Sequence, residues 1–436
     1  MLARLRHHFP ALASVGIRLV GVTIGFFIVV MIGRTWGAAG SGIYGLISQT
    51  AMFLAVIAVG GIDLAAVRAL AGIDPQRERL AAETIMWLLG ITFLFTAFPA
   101  LILALLGDRA TDWISDYPVP ANAIAAVITL LVARALSRIL SAILRAQQHF
   151  LLGQAMEAVL IPLPFALALL AFVGPSLDEL VRWVTITAVA AIAIGLGVLL
   201  LVYCTARASG RAAHSPPLRG MAATALPLWG VTIALSFAEW YGLTIVTSEV
   251  GLDAAGIFRV VMQFVLIFSV LSAGLTGVYN VRIAAAQSEH DWAAVARHVR
   301  SFTLLSAALA ILPAAALILL ARPLLGLVGP EFQAGATALQ IGTIGQVAYL
   351  ILAPAGLTLA MTGYARTNLA ITLFSAGALL VLAPLSARLY GLTGIVTCIS
   401  VLLISRNLAA MLVVRRRLGI NALTGVYHPP VQPGRL

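Results

Sequence analysis

The sequence predicts an all-α protein that crosses a membrane many times, and three observations support this fold class. The first is composition: of 436 residues, 61% are hydrophobic and only 10% are charged, and the mean hydropathy is +1.04. Soluble domains are about 45–50% apolar and about 25% charged, so the excess here would form large apolar patches in water. A soluble enzyme is therefore excluded. The other two observations are a series of long apolar segments and an internal repeat.

The apolar segments are long enough to be membrane spans, because a helix needs about 20 residues to cross a bilayer. The first one is too long for the apolar part of a signal peptide and is interpreted as the first span. Twelve segments qualify: 12–33, 43–65, 84–106, 120–144, 152–173, 182–204, 221–247, 255–280, 302–321, 336–361, 368–387 and 392–414.

Arginine indicates how these spans are oriented. All 27 basic residues are arginine, and cytoplasmic loops carry the excess of basic residues in membrane proteins. With a cytoplasmic N-terminus, seventeen arginines fall in the cytoplasmic segments and five in the outside loops. This ratio predicts twelve spans with both termini in the cytoplasm. The formal charge of +11 thus reports topology, and we expect no nucleic-acid partner.

An internal repeat relates the two halves of the chain. Residues 37–71 align with residues 251–285 at a constant offset, with nine identities in 35 positions that include Gly42/Gly256 and Arg68/Arg282. Chance similarity between two apolar segments is the alternative. Six spans separate the copies, so both have the same orientation, as in parallel repeats related by an axis along the membrane normal.

The repeat predicts two pseudo-symmetric six-helix bundles, an arrangement that favours an alternating-access transporter over a channel. The stretch after the sixth span is basic and contains prolines, which is typical of a linker. The C-terminal segment is rich in Gly and Pro, and we interpret it as mobile. The predicted boundaries are 1–206 for the N-terminal bundle, 207–220 for the cytoplasmic linker, 221–416 for the C-terminal bundle and 417–436 for the cytoplasmic tail.

Five arginines lie inside predicted spans rather than in loops: Arg18, Arg134, Arg138, Arg259 and Arg406. An ionisable side chain at this depth costs about 2.5–3.5 kcal/mol on insertion scales and is a functional hypothesis by default. Arginine also suits phosphate, because its planar fork makes two charge-assisted hydrogen bonds. We predict that the first four bind an anionic ligand. The alternatives are snorkelling to the membrane interface for Arg138 and Arg259, pairing with Asp253 for Arg259, and a structural role for Arg406.

Glu239 is the deepest acidic residue and is a candidate for coupling to an H⁺ or Na⁺ gradient, with a structural ion pair as the alternative. Trp240 and Tyr241 beside it are candidates for stacking on sugar rings. Glu157 cannot be assigned to a helix face. No catalytic, cofactor or metal-binding residue is predicted, and without lysine the chain has no phosphate-binding loop for ATP hydrolysis.

Several motifs carry a resemblance to a known family over about residues 12–416. They are Gly37-Ala-Ala-Gly-Ser-Gly42-Ile-Tyr44-Gly45-Leu46, Gly60-Gly61-Ile62-Asp63, Ala255-Gly256-Ile257-Phe258, Gly329-Pro330-Glu331-Phe332, Met361-Thr362-Gly363-Tyr364-Ala365-Arg366 and Tyr390-Gly391-Leu392-Thr393-Gly394. Their order and spacing resemble the bacterial polysaccharide flippases of the multidrug/oligosaccharidyl-lipid/polysaccharide (MOP) exporter superfamily.

The resemblance implies a V-shaped pair of bundles in the bacterial inner membrane. It implies a transporter, not an enzyme, that flips an undecaprenyl-diphosphate-linked oligosaccharide (an O-antigen or exopolysaccharide repeat unit) from the cytoplasmic to the periplasmic leaflet. Membrane lipids and polysaccharide polymerase machinery are the expected partners. The alternatives are an ion-coupled multidrug or metabolite antiporter of the same superfamily, a membrane-embedded polysaccharide polymerase or ligase, and a scaffold that does not transport. The short outside loop 107–119 disfavours the polymerase.

Overall fold

The computed structural model is almost entirely helical, as the composition requires, because a helix satisfies its backbone hydrogen bonds internally in lipid. The residues that the structure describes are 2–62, 78–80, 82–107, 120, 122–147, 149–171, 174, 176–208, 212–214 and 218–428.

Within these ranges the chain forms twelve α-helices, one short 3-10 helix and two short parallel strands. The helices are α1 (Leu2–Val59), α2 (Ala82–Leu106), α3 (Ala123–Ala146), α4 (Phe150–Ala158), α5 (Pro162–Ala171), α6 (Leu177–Ala208), α7 (Leu218–Glu249), α8 (Leu252–Ser288), α9 (Trp292–Leu319), α10 (Ala321–Gly326), α11 (Ala336–Met361) and α12 (Ala365–Leu418). The 3-10 helix is Pro330–Gly335, and strand β1 (Glu78–Leu80) pairs with β2 (Ala212–His214).

The described helices account for the predicted number of crossings. Nine stretches are long and apolar enough to cross a membrane, and the pair α4 and α5, bent by 50°, qualifies as a tenth. Two of the nine, in α1 and α12, are 44 and 54 residues long, about twice the length that one crossing needs. Counting each of these two as a pair of crossings brings the described part of the chain to twelve.

Glycine makes the reversal inside each of the two long helices. Gly37 in α1 has φ 66° and ψ −160°, and Gly391 in α12 has φ 58° and ψ −141°. Only glycine adopts such backbone angles without strain. In α12 the Ser375 hydroxyl donates a hydrogen bond to the carbonyl of Leu402 at 3.4 Å, although these residues would lie about 40 Å apart in a straight helix. The α12 arms are therefore antiparallel.

The chain divides by packing into two compact units, residues 1–259 and 260–436, with the boundary inside α8. In the first unit, both arms of α1 contribute to one apolar core with α3, α5 and α6, which includes Ile28, Ile47, Leu131 and Val181. Because packing rather than repeat symmetry defines these units, the predicted boundaries at 207–220 stay a prediction.

The core of the second unit joins α8, α9, α11 and the end of α12. Val295, Val299 and Phe302 on the first turns of α9 are fully buried in it. The Asp291 carboxylate caps this helix by accepting a hydrogen bond from the Ala294 amide at 2.8 Å.

The segment that follows α12 is folded, so the interpretation of the C-terminal tail as mobile is wrong for residues 419–428. Gly419 ends α12 in a left-handed conformation, and Ile420 and Ala422 are buried in the core of the second unit. The Asn421 side chain closes the turn by accepting hydrogen bonds from the amides of Leu423 and Thr424. A few apolar side chains thus outweigh the Gly and Pro content. Residues 429–436 lie outside the described residues.

Candidate functional site

The candidate site lies within the first unit, where α7 and the start of α8 pack against the second arm of α1. The indole of Trp229 donates a hydrogen bond to the Val56 carbonyl at 2.8 Å, and that of Trp240 donates to the Thr50 hydroxyl at 3.0 Å. At the end that carries Gly37, the missing β-carbons of Gly42 and Gly256 allow α1 and α8 to meet backbone to backbone. Gly42 and Gly256 are equivalent positions of the repeat, as expected if its axis passes close to them.

Three of the four predicted anion-binding arginines form a cluster within this unit. Arg134 and Arg138 lie four residues apart on one face of α3, and Arg259 lies on the first turns of α8. Arg134 interacts electrostatically with Arg138, with Arg259 and with the hydroxyl-bearing side chain of Tyr44. We call Arg134, Arg138 and Arg259 the arginine cluster. Its members repel one another, so the cluster carries a local excess of positive charge.

Glycine positions Arg259. A β-carbon on Gly45 would lie 3.4 Å from both Cγ and Cδ of Arg259 and 3.3 Å from a methyl group of Leu243. The aliphatic part of Arg259 therefore passes over the bare backbone of Gly45, beside α7. Tyr44, the preceding residue, stacks its ring on Phe165 with centroids 5.3 Å apart. Tyr44 therefore interacts with Arg134, and the neighbouring Gly45 leaves room for the side chain of Arg259.

The guanidinium groups of Arg134 and Arg259 form no hydrogen bond or ion pair with another described residue. The Nε atom of each is buried without a hydrogen bond, and neither side chain forms an ion pair there. Buried polar groups in native proteins are almost always hydrogen-bonded, and an unpaired buried charge is expensive. Such a pair of side chains is what an anion with several oxygen atoms would satisfy.

Glu239 belongs to the same site. It lies one helical turn before Leu243 on the same face of α7, and it interacts electrostatically with Arg259. Its side chain is exposed and forms no hydrogen bond or ion pair within the described ranges. Within the described residues, Glu239 therefore does not form the structural ion pair that was the alternative to a coupling role.

Arg18 lies elsewhere in the unit. It is 19 residues before Gly37, about 28 Å along the helix axis, whereas Arg134 is about 18 Å from the same end. Arg18 is half-buried and is not among the groups that interact electrostatically with Arg134. Its role in anion binding stays a prediction.

Two other arginines inside predicted spans or at their ends have partners. Arg145, at the end of α3, forms an ion pair with Glu157 of α4 and donates a hydrogen bond to the Ser141 hydroxyl at 2.7 Å. Glu157, which could not be placed from the sequence, therefore fixes α4 to α3. In the second unit, the Arg406 guanidinium lies over the Tyr349 ring, 5.5 Å from its centroid, in line with the structural alternative.

The aromatic residues next to Glu239 form a packed group. The Trp240 ring stacks on Phe53 with centroids 5.0 Å apart, and the Tyr241 ring stacks on Phe237 at 5.3 Å. With its indole nitrogen bonded to Thr50 as well, Trp240 packs α7 on α1, and one face of its ring is occupied. The described residues contain no group of His, Cys, Asp and Glu side chains that could hold a metal ion.

Sequence reasoning missed two residues of the site, Tyr44 and Gly45. Both stand in the Gly-rich motif that carries the family resemblance, but they were assigned no role. The signal was available, because a glycine within a helix often marks a close approach by another group. Which group approaches Gly45 depends on the packing of α8, which the sequence does not state.

Site and fold together define a class: polytopic, all-helical membrane proteins with a cationic site between helices. No protein family model matches the sequence, and no curated protein matches it. Solved structures, however, match nearly the whole chain. One, an inward-facing multidrug resistance MATE family transporter of the MOP superfamily, has a TM-score of 0.72 at 15% identity, covering 96% of this chain and 100% of its own.

Two further solved structures are similar. The MATE multidrug transporter DinF-BH has a TM-score of 0.67 at 14% identity, covering 96% of each chain. A MOP superfamily transporter from Pyrococcus furiosus has a TM-score of 0.63 at 15% identity, again covering 96% of each chain, and its binding pocket is described as having reverse polarity. The protein therefore has the fold of the MATE transporters of the MOP superfamily. At these identities the likeness concerns the fold alone.

Proposed function

We propose that the protein is an alternating-access transporter that flips an undecaprenyl-diphosphate-linked oligosaccharide from the cytoplasmic to the periplasmic leaflet of a bacterial inner membrane. The observation that carries the proposal is that Arg134 and Arg259 interact with each other electrostatically and form no hydrogen bond or ion pair within the described residues. A diphosphate is their natural complement, because each arginine can grip two phosphate oxygens with charge-assisted hydrogen bonds. The motif resemblance to polysaccharide flippases supports the same substrate class.

The remaining residues have supporting roles. Arg138 extends the positive potential along α3 towards the depth of Arg18, so that an anion meets cationic side chains along its path. The prenyl chain remains in lipid while the glycan travels with the diphosphate. Glu239 is the proposed coupling carboxylate, to which H⁺ or Na⁺ would bind. Polysaccharide polymerase machinery is the proposed partner that consumes the flipped substrate.

A multidrug antiporter is the second candidate, and two observations favour it. Glu239 supplies an exposed carboxylate, as cationic drugs require, and two similar solved structures are described as multidrug transporters. The net charge of the site argues the other way. The P. furiosus transporter, described by the reverse polarity of its pocket and a suggested different function, supports the idea that this fold serves ligands of opposite charge.

The test is flipping of a fluorescent undecaprenyl-diphosphate oligosaccharide in proteoliposomes. We expect transport by the wild type and at least about a tenfold loss in Arg134→Ala and Arg259→Ala, since each removes a charged hydrogen-bonding partner of the substrate. Arg322→Ala is the matched control, because Arg322 is exposed on α10 of the second unit. If the wild type moves no lipid-linked sugar but exports a cationic dye, the antiporter replaces the flippase.

A further inference from the structure

Glu239 is placed to compete with a bound anion for Arg259. The Arg259 side chain runs beside Leu243 over Gly45, and Glu239 is one turn away on the same face of α7. Counted from the helix ends Glu249 and Leu252, Glu239 lies about 15 Å deep and Arg259 about 10 Å deep, so the two residues are within one helical turn of the same depth.

Two described carboxylates of the first unit that interact with arginines, Glu157 and Glu239, are held differently. Glu157 is tied to Arg145, and its oxygen lies 3.5 Å from the Ser141 hydroxyl. Glu239 interacts with Arg259 electrostatically, is exposed, and forms no hydrogen bond or ion pair within the described residues. A charge that stabilises an arginine from a distance, without contact, can be replaced by a ligand without breaking any protein hydrogen bond.

We propose that Glu239 is an internal counter-anion, which balances the arginine cluster in the empty transporter and opposes a diphosphate that binds to Arg134 and Arg259. This inference rests on the proposed function and assigns Glu239 a role in substrate affinity. Its physical basis is that an anion entering the site meets repulsion from Glu239 as well as attraction from the arginines. A bound diphosphate should consequently push the Glu239 carboxylate away from Arg259. The empty site is also protected against retaining a diphosphate too tightly to release it.

The test is binding of inorganic pyrophosphate to the purified full-length protein by calorimetry. Glu239→Gln should bind about tenfold more tightly than the wild type, the factor that one nearby unit charge contributes at intermediate dielectric. Glu239→Ala should show the same direction, and Glu239→Asp, which keeps the charge, should stay close to the wild type. Glu157→Gln is the matched control, because it removes a carboxylate of the same unit that already has an arginine partner.

The pairing with Arg259 is tested by a double-mutant cycle. In the Arg259→Ala background, Glu239→Gln should increase the pyrophosphate affinity by a smaller factor, because the arginine whose charge Glu239 balances is absent. An uncharged oligosaccharide serves as a second ligand, and its affinity should not respond to Glu239→Gln. A general change of the site's shape would alter both affinities.

The outcomes separate this inference from the proposed function. Weaker or unchanged pyrophosphate binding in Glu239→Gln, together with loss of binding in Arg259→Ala, would overturn the counter-anion role and leave the anion site standing. Absence of pyrophosphate binding in the wild type and in every Glu239 variant would overturn both.

Discussion

Arg134 and Arg145 lie on the same helix, eleven residues apart, and they have opposite surroundings. Arg145 has a carboxylate from α4 and a hydroxyl from its own helix. Arg134 has two like charges nearby and forms no ion pair within the described residues. The paired arginine Arg145 holds two helices together, whereas we propose that Arg134 is left for a ligand.

The largest expected effect is on the unpaired arginines. Arg259→Ala should reduce pyrophosphate affinity and lipid-linked sugar transport by at least about tenfold. Its thermal stability in detergent should be unchanged or higher, because the substitution breaks no hydrogen bond or ion pair and removes the repulsion between Arg259 and Arg134. A fall in unfolding temperature comparable to the loss of activity would mean that Arg259 is structural, and the contrast with Arg145 would disappear.

The next largest effect is expected for the paired arginine, Arg145, whose loss should reduce stability and leave ligand affinity unchanged. Arg145→Ala should lower the free energy of unfolding by about 1–2 kcal/mol, a moderate value because both partners are partly exposed. Pyrophosphate affinity should not change. Combining Arg145→Ala with Glu157→Gln should cost less than the sum of the single substitutions, as measured by thermal or chemical unfolding. Additive losses would show that Arg145 and Glu157 act independently.

A smaller effect is expected for Gly45→Ala. This substitution sharpens the comparison of paired and unpaired arginines because it displaces the Arg259 side chain without removing its charge. The β-carbon of Gly45→Ala would meet Arg259 at 3.4 Å and Leu243 at 3.3 Å, so the side chains must shift by a few tenths of an ångström. We expect about a two- to fivefold loss of pyrophosphate affinity, measured by calorimetry, because charge-assisted hydrogen bonds depend on geometry. Gly377→Ala is the control, since open space surrounds that position.

The smallest effect should come from the second unit, where Arg406 lies over the Tyr349 ring. Tyr349→Leu removes the aromatic partner and should lower the free energy of unfolding by about 0.5–1 kcal/mol, the usual contribution of a cation–π contact. Transport should be retained within about a factor of two. Loss of transport without loss of stability would place Arg406 with the functional arginines.

The sequence was informative about the site in proportion to how local each feature is. The spacing of Arg134 and Arg138, four residues apart, by itself places them on one face of a helix. The proximity of Arg259 and Glu239 depends on how α7 and α8 pack against α1, which no local pattern encodes. Arg18 shows the limit: its depth in the first span suggested the same site, but the structure places it about 10 Å further along the helix axis than Arg134.

Composition was a reliable guide to the spans and a poor one to their ends. Residues 419–428 look like a mobile tail by their glycine and polarity, yet Ile420 and Ala422 are buried in the core of the second unit. By their spacing alone, Trp292, Val295 and Phe302 form one apolar face of a helix. The structure makes them the start of α9, with Val295 and Phe302 fully buried in protein. An apolar helix face predicts that something will cover it, but whether lipid or another helix covers it depends on the packing of the whole chain.

The sequence by itself determined that most of the chain lies in lipid, and for that reason it also determined that the chain is helical. In lipid every backbone group must find its partner within the chain, so long apolar segments have one solution, and glycine at positions such as 37 and 391 allows the chain to reverse. What only the tertiary structure decided was which charges have partners. The arginines of α3 are chemically identical, and their roles differ because α4 brings a carboxylate to Arg145, while α1 and α8 bring a tyrosine and a second arginine to Arg134. Pairing of this kind depends on distances between helices that are remote in the chain.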